Sequence, residues 1–194
     1  MTGLLWVNTR NMKRYLFTIL FCLFFSMPLL ADNLSHWQRL AEKGSANAQF
    51  NLGAMYDSGE GVPGDAAEAA KWYHQAADQG HVNAQFNLGV MYANGEGVTE
   101  NVAEAATWYR KAADQGDYRA QYNLGVLYAN GEGVPQSNSE SYVWLNLAAN
   151  SGINNLATKR DRAAERLTAA ELALAQQTAV KLFEEIQQKK QIKE

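Results

Sequence analysis

The chain repeats itself every 36 residues. A period in that range means that each unit is a small piece of supersecondary structure whose apolar face is buried only by stacking on the next copy. AQFNLGAMY at 48–56 returns as AQFNLGVMY at 84–92 and as AQYNLGVLY at 120–128. GEGV follows each copy, starting at Gly59, Gly95 and Gly131. Trp72-Tyr73 returns as Trp108-Tyr109 and then as Trp144-Leu145. The pairs Ala76-Ala77, Ala112-Ala113 and Ala148-Ala149 hold the same register, as do Gly80, Gly116 and Gly152.

Each unit reads as two helices. In the first, over 46–57, 82–93 and 118–129, a turn of 3.6 residues puts Ala48, Leu52, Met55 and Tyr56 on one stripe, the expected buried face. Gly53, Gly89 and Gly125 stand at its margin, where a missing side chain lets a neighbour approach closely at ~1 kcal/mol of helix propensity each. Gly59 and Gly61, with their copies at 95, 97, 131 and 133, stop the first helix, and Pro63 and Pro135 reinforce the break. The second helix then starts at Asp65, Asn101 and Ser137, three residues whose side chains all accept a hydrogen bond from a free helix N–H. Glu68, Glu104 and Glu140 follow three positions later in a capping-box pattern. Gly80, Gly116 and Gly152 close the second helices.

The predicted fold is all-α, a solenoid of tandem helix-turn-helix repeats divided as 44–79, 80–115 and 116–151. Residues 32–43 precede it as a half repeat covering the N-terminal edge, because His36 to Gly44 lie one period before the second helix of the next unit. Residues 152–194 follow it. They are expected to form a helix over 153–167 and a last one over 169–189, capped by Thr168 with Glu171. Leu172, Ala175, Ala179, Leu182, Phe183 and Ile186 give that last helix an apolar stripe, and Lys189, Lys190 and Lys193 suit its C-terminal end. It reads as the capping helix a solenoid needs, covering side chains around Leu145, Leu156 and Leu167.

The run Ala48, Leu52-Gly53, Tyr56, Gly59-Glu60-Gly61-Val62, Ala69, Trp72-Tyr73, Ala76-Ala77 and Gly80, repeated from 84 and 120, resembles the Sel1-like repeat, a relative of the tetratricopeptide repeat. The stretch SYVWLNLAANSG with ATKRDRAAERLT is similar to the usual ending of bacterial members. The resemblance implies a right-handed superhelix that serves as an adaptor between proteins, in bacteria often exported and linked to the envelope or to contact with a host. It implies no common substrate and no common catalytic residues.

Residues 1–31 read differently. Lys13 and Arg14 open an uncharged stretch from Tyr15 to Leu30, closed by Ala31 before Asp32, the order of an export signal. Met12 is the expected true start. A permanent anchor is the alternative, although the stretch is short and Pro-interrupted against the ~20 apolar residues of a spanning helix. Cleavage would remove three of the 17 basic residues (Arg10, Lys13 and Arg14) and no acid, leaving 14 against 20 and a net charge of -6. It would also remove Cys22, the sole cysteine, so no disulfide is expected to support the exported fold. Phe21 is too bulky to precede a lipid-attachment cysteine. The expected product is periplasmic or secreted, without stable membrane insertion, and too acidic for nucleic acid.

Candidate chemistry is sparse. Gly59 to Gly64 spell GxGxxG, but dinucleotide binding needs that loop after a strand, and the copies GEGVTE and GEGVPQ lack the third glycine. No cofactor is expected. His36, His74 and His81 occupy unrelated repeat slots without metal-ligand spacing, and no serine stands in a GxSxG or SxxK setting. Glu60, Glu96 and Glu132 recur once per unit, which fits a loop role better than a catalytic pair. Some relatives are β-lactamase-like, but those are rich in disulfides; a cell-wall enzyme is therefore the alternative function, beside a secreted host-interaction factor. The favoured reading is a non-enzymatic scaffold for another protein or peptide. At 100° per residue, Phe50 and Ala54, Phe86 and Val90, and Tyr122 and Val126 point away from the buried stripe. The first helices of related arrays line the concave surface, so these six residues are the candidate partner-binding set, with Phe86→Ala expected to weaken capture and leave the thermal midpoint nearly unchanged. Packing of the rings between adjacent repeats is the alternative.

Overall fold

The computed structural model describes residues 34–193, which contain nine helices and no strand. The stretch read as an export signal lies outside the described residues. Helix α1 covers 34–42, and three pairs follow: α2 (Ala46–Ser58) with α3 (Ala66–Asp78), α4 (Val82–Asn94) with α5 (Val102–Ala113), and α6 (Tyr118–Asn130) with α7 (Asn138–Ala149). Helices α8 (Asn154–Ala164) and α9 (Ala169–Lys193) complete the described chain. The partners within each pair pack together, α3 on α4 and α5 on α6 join one pair to the next, and α7 carries both α8 and α9. The chain is an all-α solenoid of helical repeats.

The helix starts follow from local chemistry. Asp65, Asn101 and Ser137 are the N-caps of α3, α5 and α7, and their side chains accept from the backbone N–H of Glu68, Glu104 and Glu140. Half of the predicted capping box is formed differently: the backbone N–H of each cap donates to the carbonyl of Tyr56, Tyr92 or Tyr128 on the preceding helix. The glutamates are thereby released for other work, Glu68 pairing with Lys71 and Glu140 accepting from the Trp144 indole. Thr168 and Glu171 make the full reciprocal box at α9, with Thr168 N–H to Glu171 at 2.8 Å and Glu171 N–H to Thr168 Oγ1 at 3.3 Å.

Packing explains the repeated glycines and an unexpected glutamine. The Tyr73 ring lies against Gly53, the Tyr109 ring against Gly89 and Leu145 against Gly125, so close that a Cβ would stand 2.7 to 2.8 Å from each. Of the predicted stripe, Ala48 and Leu52 are fully buried, while Met55 and Tyr56 are half-buried. Gln49, Gln85 and Gln121 belong to the core instead, each 4% exposed. Their amides donate to the carbonyls of Ala41, Ala77 and Ala113, each eight residues upstream, at 2.9 to 3.1 Å. Their burial is tolerated because the polar group is satisfied. Gln79 and Gln115 donate in turn to Gln49 and Gln85 at 2.6 and 2.8 Å, tying the end of each second helix to the first helix of the same repeat. Because Ala41 accepts as Ala77 and Ala113 do, α1 stands in the place of a second helix, as the half-repeat reading expects.

The last helix departs from expectation in length and in the facing of Phe183. It runs to Lys193 rather than 189. Ala175, Ala179 and Ile186 are buried and Leu172 and Leu182 half-buried, but Phe183, placed on the inward stripe, is 38% exposed. At 180° from Leu174 on the helix wheel, Phe183 falls at the edge of the buried stripe rather than at its centre. Helix α9 packs on α7, the second helix of the last repeat, and brings Ile186 and Lys190 back to Gly116, at the turn before α6. Leu145 packs on Gly125 of α6 within its own repeat and belongs to the same core cluster as Ala175, Ala179 and Ile186 of α9.

Candidate partner-binding face

The first-helix face is built by α2, α4 and α6, which place equivalent residues one period apart. Phe50, Phe86 and Tyr122 are all half-buried, and so are Ala54, Val90 and Val126. Phe50 stacks on His81 at 4.5 Å and lies 5.8 Å from the Tyr73 ring. Phe86 lies 6.0 Å from Tyr109 and carries the Arg119 guanidinium 4.2 Å above its ring. Each of these two rings therefore packs at the junction with the next repeat while keeping part of its surface open. Helix periodicity places all six residues away from the fully buried stripe, while the ring partners across the junction lie 31 and 33 residues away in sequence.

Polar groups on the same helices had been given no role. Asn51, Asn87 and Asn123 are half-buried. The Asn87 amide hydrogen-bonds the Tyr73 hydroxyl, and Asn123 that of Tyr109. Tyr73 also donates to the Asp57 carboxylate at 3.2 Å. Burial, with Asp57 alongside, pushes its pKa to about 12. Arg119 donates to Asp117 and reaches across the junction to Asn83 at 2.7 Å. The Asp117 contact raises its pKa further above the usual arginine range. The face thus presents a carboxylate near one end and a guanidinium near the other. The recurring Asn of AQFNLG was the available signal for these groups.

His81 is the N-cap of α4, in the slot held by Ser45 at α2 and Asp117 at α6. Its Nδ1 accepts from Ala84 N–H at 3.2 Å, which only the neutral ring can do. Burial lowers its pKa below 6.5. A folded-state pKa depressed below the unfolded one gives stability that is complete above the unfolded value and is lost as pH falls through the folded one. Melting curves from pH 7.5 down to about pH 5 should therefore show a loss on the order of one cap, ~1 kcal/mol. His81→Ser should keep the cap and remove that part of the acid sensitivity; an unchanged pH profile in the variant would contradict this assignment.

A cleft of about 540 Å³ lies beside this face, where the turns at Gly80 to Asn83 and Asp114 to Gln115 meet Ile186, Lys189 and Lys190 of α9. Among the described residues, no group of three or more His, Cys, Asp or Glu could hold a metal ion. The Gly59 to Gly64 loop follows helix α2, so it lacks the strand that dinucleotide binding requires. None of the helices in the described residues is long and apolar enough to cross a membrane.

The Sel1 repeat pattern matches residues 46–81, 82–117 and 119–153, more than half of the chain. The chain belongs to the Sel1 repeat family. Among solved structures, this Sel1 repeat protein is similar to a protective antigen present in uropathogenic Escherichia coli strains and displaying an SLR fold, with 36% identity and a TM-score of 0.65. That match covers 76% of this chain and 33% of the antigen, so the chain spans about a third of the antigen's length. It is also similar to a Sel1 repeat protein from Oxalobacter formigenes, with 34% identity, a TM-score of 0.62 and coverage of 67% of this chain and 98% of that one. No curated protein matches the chain. Sel1 repeats are generally scaffolds for protein interaction, and the fold is typically non-enzymatic.

Proposed function

We propose that this Sel1 repeat protein is an exported, non-catalytic scaffold of the bacterial envelope that captures a protein or peptide on the face formed by α2, α4 and α6. The observation that supports this reading is the threefold presentation of one set of side chains, a half-open ring with a small apolar residue and an asparagine, on helices fixed by the same junctions. A preorganised face loses little ordering entropy on binding, which favours capture by aromatic anchors. Phe86 touches Tyr109 and Arg119, so Phe86→Ala should cost some stability as well as binding. Val90→Asp offers a second readout because its half-buried side chain lies on the same face.

Co-purification from envelope extract, with mass spectrometry of the captured protein, tests the proposal. Both variants should weaken capture at least about tenfold, on the scale of interface hot spots, while remaining folded at the assay temperature. Unaltered capture by two folded variants would remove the face from consideration. Hydrolysis of a chromogenic β-lactam by the purified protein would favour the cell-wall enzyme instead. Export predicts a secreted form beginning at Asp32, which N-terminal sequencing checks.

A further inference from the structure

The outer side of α9 carries a pattern that the packing of the repeats does not use. With Ala175, Ala179 and Ile186 buried, Leu174 is 66% exposed and Ile192 84% exposed. Eighteen residues make about five turns at 3.6 per turn, so these two apolar side chains lie on one line along the helix. Thr178, Lys181, Glu185 and Gln188 lie along the same line and are all exposed. Lys181 and Glu185 stand two residues either side of the level of Phe183, Thr178 and Gln188 five, and Leu174 and Ile192 nine. From end to end the line reads apolar, polar, positive, negative, polar, apolar.

Such a line is complementary to its own antiparallel copy. A two-fold axis at the level of Phe183 would set Leu174 against the second copy's Ile192, Thr178 against its Gln188 and Lys181 against its Glu185, and would repeat each pair on the other side. That is the self-complementarity an isologous interface requires. In a parallel arrangement the like charges would face each other.

We propose that the protein pairs with a second copy of itself through this outer face of α9, in antiparallel register centred on Phe183. The contact line is roughly 27 Å long at 1.5 Å per residue, which suits a reversible dimer rather than an obligate one. The line stands about a third of a turn from the buried stripe of Ala175, Ala179 and Ile186, and none of its residues belongs to the first-helix face of α2, α4 and α6. Pairing therefore does not depend on what that face binds.

Sedimentation equilibrium of the purified protein over a wide concentration range tests the proposal, with circular dichroism to confirm that each variant is folded. The wild type should show a monomer-dimer equilibrium, and Leu174→Asp should abolish it. Lys181→Glu alone, or Glu185→Lys alone, should weaken the dimer by about tenfold, because each creates two like-charge contacts across the axis. The double swap Lys181→Glu with Glu185→Lys should restore it, since opposite charges face again. A wild type that is monomeric throughout would overturn the proposal. So would a dimer that tolerates Leu174→Asp, or a double swap no better than either single variant.

Discussion

Replacing Gly97 with alanine is expected to destabilise the protein by more than about 4 kcal/mol, beyond the usual range of single substitutions. Two independent costs meet at this residue. Its φ of +68° is one that an L-residue adopts at ~1 to 2 kcal/mol. In addition, an added Cβ would overlap the backbone carbonyl of Ala66, in the first turn of α3, a neighbour with no flexible end to move aside. Gly80→Ala is the matched control: φ is +86°, but nothing lies within 4 Å of the added carbon, so only the conformational cost of ~1 to 2 kcal/mol applies. Chemical denaturation of the two variants separates the terms. Equal losses would show that the GEGV loop is not wedged against the preceding repeat.

Removing residues 168–194 should have an effect of similar size for a different reason. Helix α9 covers α7, and Leu147 shares a junction with Phe183 and Ile186. Fully burying one such aliphatic side chain is worth ~1.5 to 3 kcal/mol, and truncation re-exposes several at once. The shortened chain is expected to aggregate or to melt well below the intact protein. An unchanged melting temperature with unaltered association would mean that α9 contributes nothing to the fold.

Sequence and structure agree on the helix starts and the close-packed glycines, where the deciding chemistry is local. Asp65, Asn101 and Ser137 announce the second helices because a cap acts within one turn, and the glycines beside Tyr73, Tyr109 and Leu145 announce close packing because the loss of helix propensity had to be offset. The readings fall short where the partner is distant in sequence. Gln49 looks like a surface residue until the Ala41 carbonyl is placed beside it by the turn between α1 and α2. The apolar stripe of α9 was legible, but not that its far end returns to Gly116. The six residues of the candidate face are placed on their helices by angle alone, whereas the partial cover of Phe50 and Phe86 comes from His81 and Arg119 of the following repeats.

The glutamine ties have a modular consequence. Gln49, Gln85 and Gln121 each reach the carbonyl of an alanine eight residues upstream, and the wedged loops recur at the same spacing, Gly97 on Ala66 and Gly133 on Val102. These ties recur from joint to joint, so they would survive duplication or excision of a unit at a period boundary, whereas the bond from Arg119 to Asn83 is particular to its own junction. The length of such an array is not set by the joints. Only the last unit is held to a fixed length, because α9 spans it from α7 back to the turn at Gly116, and a change between those two points would leave that helix too long or too short to seat.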